Sequence, residues 1–497
     1  MSRYLGLDLG STSVTAVVID TAARAVTGIS SRANDAELTS PADRARGRSE
    51  WDFERMLALS LRCAREACEG SGVEAVEAVG VTGQQKGCQV LAGDGTAIGP
   101  YIGWQDRRTA EPAPGQAGGA TWLDLMAERG GATTPSGQRP RFTDSGCPVA
   151  HGFTVPLLFW LQQAGELPAG AHAGTAPELL VARLTGTRAV TDPTDAAGWG
   201  VFDVIGGVWN GDLVRQLGLD PSLLPEVVRS CRPGGRLRPE MADAMGLRPD
   251  VPVSVASGDM QCSYAGAVAD RDASVAVNVG TAGQCSVFVG DLEPLRTPGQ
   301  PFDHGWLELR PYIEQGHLLA GLGVVGGRTL RALRDFVLTV ADALGHGDSD
   351  PEGVYDDLVR CAQAVPAGAE GVLWDPSFTG GGTDASARAS MTGLTPQNFT
   401  IGHVARGLLE AVARELHGGY ETARQMGAGP RTMLVGSGNG LQRNPVLRAA
   451  LAERFGMPLT MAPNAGAAAV GAALCGAVAA GEYPDIAAAS RRFLSPA

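Results

Sequence analysis

An α/β fold built from two similar halves is predicted by three observations. The first is a repeat. Leu5-Gly6-Leu7-Asp8-Leu9-Gly10-Ser11-Thr12-Ser13 opens the chain, and Val277-Asn278-Val279-Gly280-Thr281-Ala282-Gly283-Gln284 returns about halfway along. In each, an apolar strand enters a Gly turn, which admits φ > 0 and close backbone approach, and small residues then offer N–H and O–H donors to anionic oxygens. The second is length, because 497 residues exceed a single typical core and suit two domains. The third is an alternation of strand-like and helix-like segments in both halves.

Residues 4–20 read as strand, turn, strand, and the second of these is apolar on both faces, as in a buried sheet. A helix is expected over 52–69 and another buried strand over 76–82, ending at Gly83-Gln84-Gln85-Lys86-Gly87. Polar residues at a strand's carboxyl end commonly line the ligand cleft of an α/β sheet. Residues 110–150 are rich in Gly, Pro and Ala and read as an inserted loop region with one helix near 122–128. A second series starts with a strand over 251–256 leading to Ser257-Gly258-Asp259, then a hairpin over 274–289. Helices are expected over 329–344, 404–426 and 445–455, with a strand at 432–435 between the first two and the last. The division falls between 1–248 and 249–497.

Composition narrows the function. Apolar residues make up 44% and charged residues 19%, as in ordinary globular proteins. A formal charge of −13 argues against a nucleic-acid partner, which needs basic patches, but leaves room for a small nucleotide held by local N–H dipoles and a metal. No leader-like N-terminus is seen, and the Ala-rich run 465–480, interrupted by Gly466, Gly471 and Gly476, reads as a buried helix rather than a membrane span. Nine scattered cysteines without a C-x-x-C pair fit reduced thiols and a cytoplasmic setting. Lys86 is the sole lysine.

Several residues are suited to chemistry. Asp8, at the junction of strand and turn beside Ser11, Thr12 and Ser13, is placed to hold Mg²⁺ through water, or simply to make an Asx-turn. Asp259 follows a hydrophobic strand and precedes a helical stretch, so it reads either as a carboxylate projecting into a cleft or as a helix cap. Met433-Leu434-Val435-Gly436-Ser437-Gly438-Asn439-Gly440 brings a strand into a Gly-rich turn without the full dinucleotide spacing. Gly323-Val324-Val325-Gly326-Gly327 offers a similar surface. Trp104-Gln105-Asp106-Arg107-Arg108 pairs an aromatic face with an acid, which suits a sugar and equally a packed Trp beside an ion pair. Lys86, next to Gln84 and Gln85, reads as a donor to substrate hydroxyls or as a solvated loop lysine. The histidines lack metal spacing, and neither G-x-S-x-G nor a P-loop occurs.

In order, these motifs resemble the FGGY family of carbohydrate kinases over almost the whole chain, and within it the sedoheptulokinases most. The resemblance rests on residues 7–13, 80–84, 104–108, 258–263, 280–281, 388–398 and 435–446. It implies an α/β, two-domain actin-like ATPase (ribonuclease-H-like) fold with an interdomain cleft. It also implies ATP and Mg²⁺ as cofactors, a small-molecule sugar as partner, and transfer of phosphate to a ketose hydroxyl, with no nucleic-acid or membrane partner and a homodimer admitted. By resemblance Asp259 is the base. Ser11, Thr12, Ser13, Gly280 and Thr281 hold phosphate, and Gly326, Gly327, Gly436, Ser437, Gly438 and Asn439 complete the nucleotide side. Gln84, Gln85, Lys86, Trp104 and Asp106, with Asp259, face the sugar, and Asp8 organises the metal. The sequence departs from the pattern at Thr15 and Leu157, where relatives often carry Lys, and at Gln85-Lys86, where Met-His or Arg-Glu occur. Xylulose, ribulose and glycerol are therefore alternative substrates, and a non-catalytic nucleotide or sugar sensor is a more distant alternative.

Overall fold

The computed structural model describes residues 2–72, 76–115, 119–132, 142, 145–280, 282–292, 306–324, 326–346, 350–378 and 387–495. Its first sheet, of seven strands, contains β1 (Arg3–Leu9), β2 (Ser13–Asp20), β3 (Ala25–Ala33), β4 (Ala78–Gly83) and β5 (Pro252–Ser254), with short strands at 233–236 beside β5 and at 257–258 beside β4. The order is β3-β2-β1-β4-β5, with β2 antiparallel to both neighbours and β1, β4 and β5 parallel. The second sheet uses β6 (Ser274–Val279), β7 (Gly283–Val289), β8 (His317–Val324), β9 (Met433–Ser437) and β10 (Leu459–Met461). Its order, β8-β7-β6-β9-β10, and its strand directions repeat the first. The repeated hairpins of the sequence are thus the first two strands of two like sheets. Asp8 and Asn278 occupy the same place in each, one residue before the strand ends.

The strands are apolar because helices cover both faces. β2 buries every residue after Ser13. Helix α1 (Phe53–Ser71) starts at Asp52, whose side chain accepts from Arg55 N, and ends at Gly72 in the left-handed conformation. It buries Met56, Leu57, Cys63 and Ala67 on one stripe against the first sheet. In the second half the long helix following residue 400 packs on β7 and β8 in the equivalent way.

The first sheet runs past residue 248. β5 lies at 252–254, and Ser257 and Gly258 pair with Thr82 and Gly83 before α2 (Asp259–Ala265) begins. Chain from the far end also returns to it. The Ala-rich stretch forms α3 (Ala467–Ala479), buried from Ala469 to Ala477 and packed on β1, β4 and α2.

Backbone-to-backbone contact is what seats this helix. A Cβ on Gly6 would lie 1.8 Å from the Ala469 carbonyl oxygen, and one on Gly80 would lie 1.7 Å from that of Ala472. Gly266 meets Ala467, and Gly471 meets Cys262, just as closely. Side chains no larger than Ala on the contacting face allow such approach. Gly6→Ala and Gly80→Ala should each lower unfolding free energy in urea by about 3 kcal/mol or prevent folding, as overpacking does. Gly418→Ala meets nothing within 4 Å in a helix interior and should stabilise by ~0.5–1 kcal/mol.

Candidate active site

The two repeated turns face each other across a cavity of about 400 Å³ lined by Asp8, Gly10, Ser11, Thr12, Ser13, Gln84 and Trp104 from one side. Met260, Ser263, Asn278, Gln284, Ser286 and Ser437 line the other, with Asp259 between.

In the first turn Gly10 N–H donates to the Ser13 carbonyl at 3.1 Å. Asn34 ties down the turn's own carbonyls, its Nδ2 donating to Gly10 O at 2.9 Å and its N–H to Thr12 O at 3.0 Å. No hydrogen bond to another described residue engages the N–H groups of Ser11 and Thr12, which leaves them available to an anion. In the second turn Gly280 N–H donates to Ala282 O at 3.1 Å and its carbonyl accepts from Gly327 N–H at 2.9 Å. Thr281 lies outside the described residues. Gly326 fits only as glycine, since a Cβ there would stand 2.4 Å from Gly283 N. Gly438, at φ +90°, presses on Val279 O, and Ser437 Oγ accepts from Asn278 Nδ2 at 2.9 Å. Gly280, Gly326, Gly327, Gly436, Ser437, Gly438 and Asn439 are therefore brought together around the end of β6.

Asp259 is the first residue of α2 after Gly258, which takes the cap position itself. Its Oδ1 accepts from Met260 N–H at 2.7 Å. Burial raises its pKa, opposed by that hydrogen bond and by the positive charges of Lys86 and Arg310. Asp8 is pushed up to about 7, by burial first and then by the negative charge of Asp259. The cleft floor thus holds two carboxylates that repel one another, an arrangement that a divalent cation relieves.

On the sugar side, Gln84 is buried with both Oε1 and Nε2 lacking a hydrogen-bond partner, although the residue lines the cavity. A buried amide of this kind calls for a polar ligand. Trp104 is 44% exposed and donates its indole N–H to Ser11 Oγ at 3.3 Å, so an aromatic wall adjoins the first turn. Lys86 stands behind this wall. Its Nζ lies 3.9 Å from the Phe153 ring centroid, and burial and Arg310 lower its pKa, against the pull of Glu308, Cys147 and Asp259.

Three expected sugar contacts do not line the cavity, Lys86, packed on Phe153, together with Gln85 and Asp106. Gln85 points inward, where its Nε2 donates to Gln261 Oε1 at 2.5 Å and to Thr194 O at 3.5 Å. Asp106 is fully buried and accepts from Ser49 N–H, Arg108 N–H and the Arg108 guanidinium, all within 2.9 Å. Asp106 has both oxygens engaged and Gln85 has its N–H₂ engaged in building the walls, and neither lines the cavity. Conversely, the sequence reading passed over Ala276, Asn278, Gln284 and Ser286, although their two-residue spacing marks one face of a hairpin. Arg310 was passed over too. It comes from the edge strand 308–311, is 2% exposed, and is held by Glu308 and Ala197 O. No local pattern announces it.

Residues 3–266 match the N-terminal domain of the FGGY family of carbohydrate kinases, and residues 312–480 match its C-terminal domain. The chain belongs to this family. A glycerol kinase of Aromatoleum aromaticum is 30% identical, aligned over 98% of this chain and 92% of its own length. A sedoheptulokinase of Mus musculus is 26% identical, over 95% and 96%. A xylulose kinase structure from Rhodospirillum rubrum superposes with a TM-score of 0.79 at 23% identity, covering 99% of this chain and 92% of that one, a likeness of fold. This FGGY chain is an ATP-dependent phosphotransferase with a hydroxyl acceptor and the two-domain actin-like fold. Among the described residues no helix is long and apolar enough to cross a membrane.

The raised pKa of Asp8 has a definite sign. The folded state binds this proton more tightly than the unfolded chain, so the stability it contributes at low pH is lost as pH rises towards about 7. Between pH 5 and 8, urea midpoints of the free protein should fall less for Asp8→Asn than for the wild type. At pH 8 added Mg²⁺ should raise the wild-type midpoint and leave that of Asp8→Asn unmoved.

Proposed function

We propose that this kinase phosphorylates a ketose at its terminal primary hydroxyl, converting sedoheptulose to sedoheptulose 7-phosphate. The observation that carries the reading is Asp259 at the start of α2, lining a cavity with the first Gly turn, Gln84 and Trp104 on one side and Asn278 and Gln284, which flank the second turn, on the other. Asp259 accepts the hydroxyl proton as the sugar oxygen attacks the γ-phosphorus of ATP, and the bond to the bridging oxygen of ADP breaks. The raised pKa suits a base that must take and then release a proton near neutral pH. Ser11, Thr12, Ser13 and the Gly280 turn donate to phosphate oxygens, while Gly326, Gly327 and Gly436 to Asn439 flank the nucleoside.

Mg²⁺ fits the same floor. Asp8 offers a carboxylate crowded by Asp259, and a small hard cation kept mostly by water and phosphate needs few protein ligands. When bound it neutralises charge on the phosphates. The Trp104 face suits the C–H side of a sugar, Gln84 supplies an amide to its hydroxyls, and the Lys86 ammonium donates to the far end of the chain. A cytoplasmic setting accords with nine cysteines that form no disulfide.

The kinases of glycerol, sedoheptulose and xylulose among the relatives favour one further reading, the same transfer to a shorter acceptor. Initial rates on sedoheptulose, xylulose, ribulose and glycerol, with the phosphorylated position mapped, separate the two. Sedoheptulose should have the highest kcat/KM. Asp259→Asn should lower kcat by about 10³-fold with ATP affinity little changed, and retention of full activity overturns its role as base. Lys86→Ala should raise the sugar KM by about tenfold with kcat less affected, as loss of a charged hydrogen bond does.

A further inference from the structure

The carboxylate at the centre of the first half is not Asp259 but Asp192, which lies under it, wholly buried and outside the cavity. Both of its oxygens are saturated. Oδ1 accepts from Thr194 Oγ1 at 2.6 Å and Asp195 N–H at 2.9 Å, and Oδ2 accepts from Ser230 Oγ at 2.6 Å and Ser257 Oγ at 2.8 Å. The Thr194 hydroxyl, its hydrogen fixed on Asp192, turns its lone pair to Gly258 N–H at 2.8 Å. Thr82 Oγ1 completes the set by donating to Ser257 O at 2.6 Å. The peptide Ser257–Gly258, immediately before Asp259, is therefore bound by its side chain, its N–H and its carbonyl.

The need for such support is local. Ser257 and Gly258 form a strand of two residues, offset from β5 and paired only with Thr82 and Gly83. A side chain on Gly258 would displace the Gln85 and Gln261 amides, since a Cβ would lie 1.6 Å from Gln85 Nε2 and 2.6 Å from Gln261 Oε1. Nothing in the ladder alone holds the start of α2 to the fraction of an ångström that in-line transfer demands.

We propose that Asp192 is a positioning residue for phosphoryl transfer, acting through Thr194 and Ser257 to fix the backbone from which Asp259 reaches the acceptor hydroxyl. The inference rests on Asp259 being the base. A carboxylate accepts at all four contacts, whereas an amide turns its N–H₂ either to the Asp195 N–H, setting donor against donor, or to the Ser230 and Ser257 hydroxyls, which must then turn to accept, so Asp192→Asn rewires the hub at nearly constant volume. Neighbouring Asp195 cannot replace it, since its Oδ2 is held by Thr175 Oγ1 and its Oδ1 has no partner.

The experiment measures sugar phosphorylation and ADP release side by side in Asp192→Asn, Thr194→Val, Thr194→Ser and Ser257→Ala, with the thermal midpoint of each. Expected for Asp192→Asn, Thr194→Val and Ser257→Ala is a kcat lowered about 10- to 100-fold, an ATP KM within about twofold of wild type, and a larger fraction of ADP formed without sugar phosphate, because a displaced base lets water compete. Thr194→Ser, which keeps the hydroxyl, should restore coupling and kcat. Should Asp192→Asn fail to fold, the Thr194 pair and Ser257→Ala decide. Unchanged kcat and coupling in these variants, with Asp259→Asn inactive, overturns the positioning role alone. Full activity of Asp259→Asn overturns the reading beneath it.

Discussion

The contact on which the rest depends is that of the C-terminal Ala-rich helix with glycines of the first half. Gly6 and Gly80 sit on the two central strands that lead to Asp8 and Gln84, and their missing side chains let α3 lie with its carbonyl oxygens against the sheet. The same helix meets α2 through Gly266 and Gly471. One helix, reached only after the second sheet is complete, thus sets the height of the first turn, the end of β4 and the start of α2. Packing at backbone distance leaves no flexible side chain to absorb an error, and this ties the cleft floor to the integrity of the whole chain.

Charge organises the cleft once that frame is in place. Asp8 and Asp259 stand close enough to raise Asp8, while Lys86 and Arg310 behind the sugar wall draw Asp259 the other way. Arg310 is itself neutralised by Glu308 and covers the same Phe153 ring as Lys86. The cavity floor at Asp8 and Asp259 therefore carries negative charge, and Lys86 and Arg310 set positive charge behind it, so the cleft presents a fixed, asymmetric field to whatever enters.

Much of this was legible along the chain. The two hairpins, the strand ending at Gln84, the helices near 53–71 and 445–455 and the buried Ala-rich segment follow from apolar runs, glycines and caps, which are local signals. Asp8, Gln84, Trp104 and Asp259 were visible because each sits where a strand or its turn must open into a cleft. Gln85 and Asp106 misled for an instructive reason. Both lie in turns just past a strand end, where no strand alternation fixes which way a side chain points, and a carboxylate can be satisfied there by Arg108 and Ser49 N–H. Neither orientation nor satisfaction can be read from residue type.

The amino-acid order alone settled the duplicated α/β plan, the pair of like Gly-turn hairpins and the family, because these rest on patterns repeated within a few residues. Three-dimensional packing decided which polar groups remain unpaired. Gln84 keeps a free amide while Gln85 is locked to Gln261, Asp192 is saturated while Asp259 faces the cavity, and Arg310 arrives from a distant edge strand. The physical reason is that a side chain's chemistry depends on its partners and its burial, and here those partners lie far along the chain, Gln261 being 176 residues from Gln85, Ala197 113 from Arg310 and Ser257 65 from Asp192.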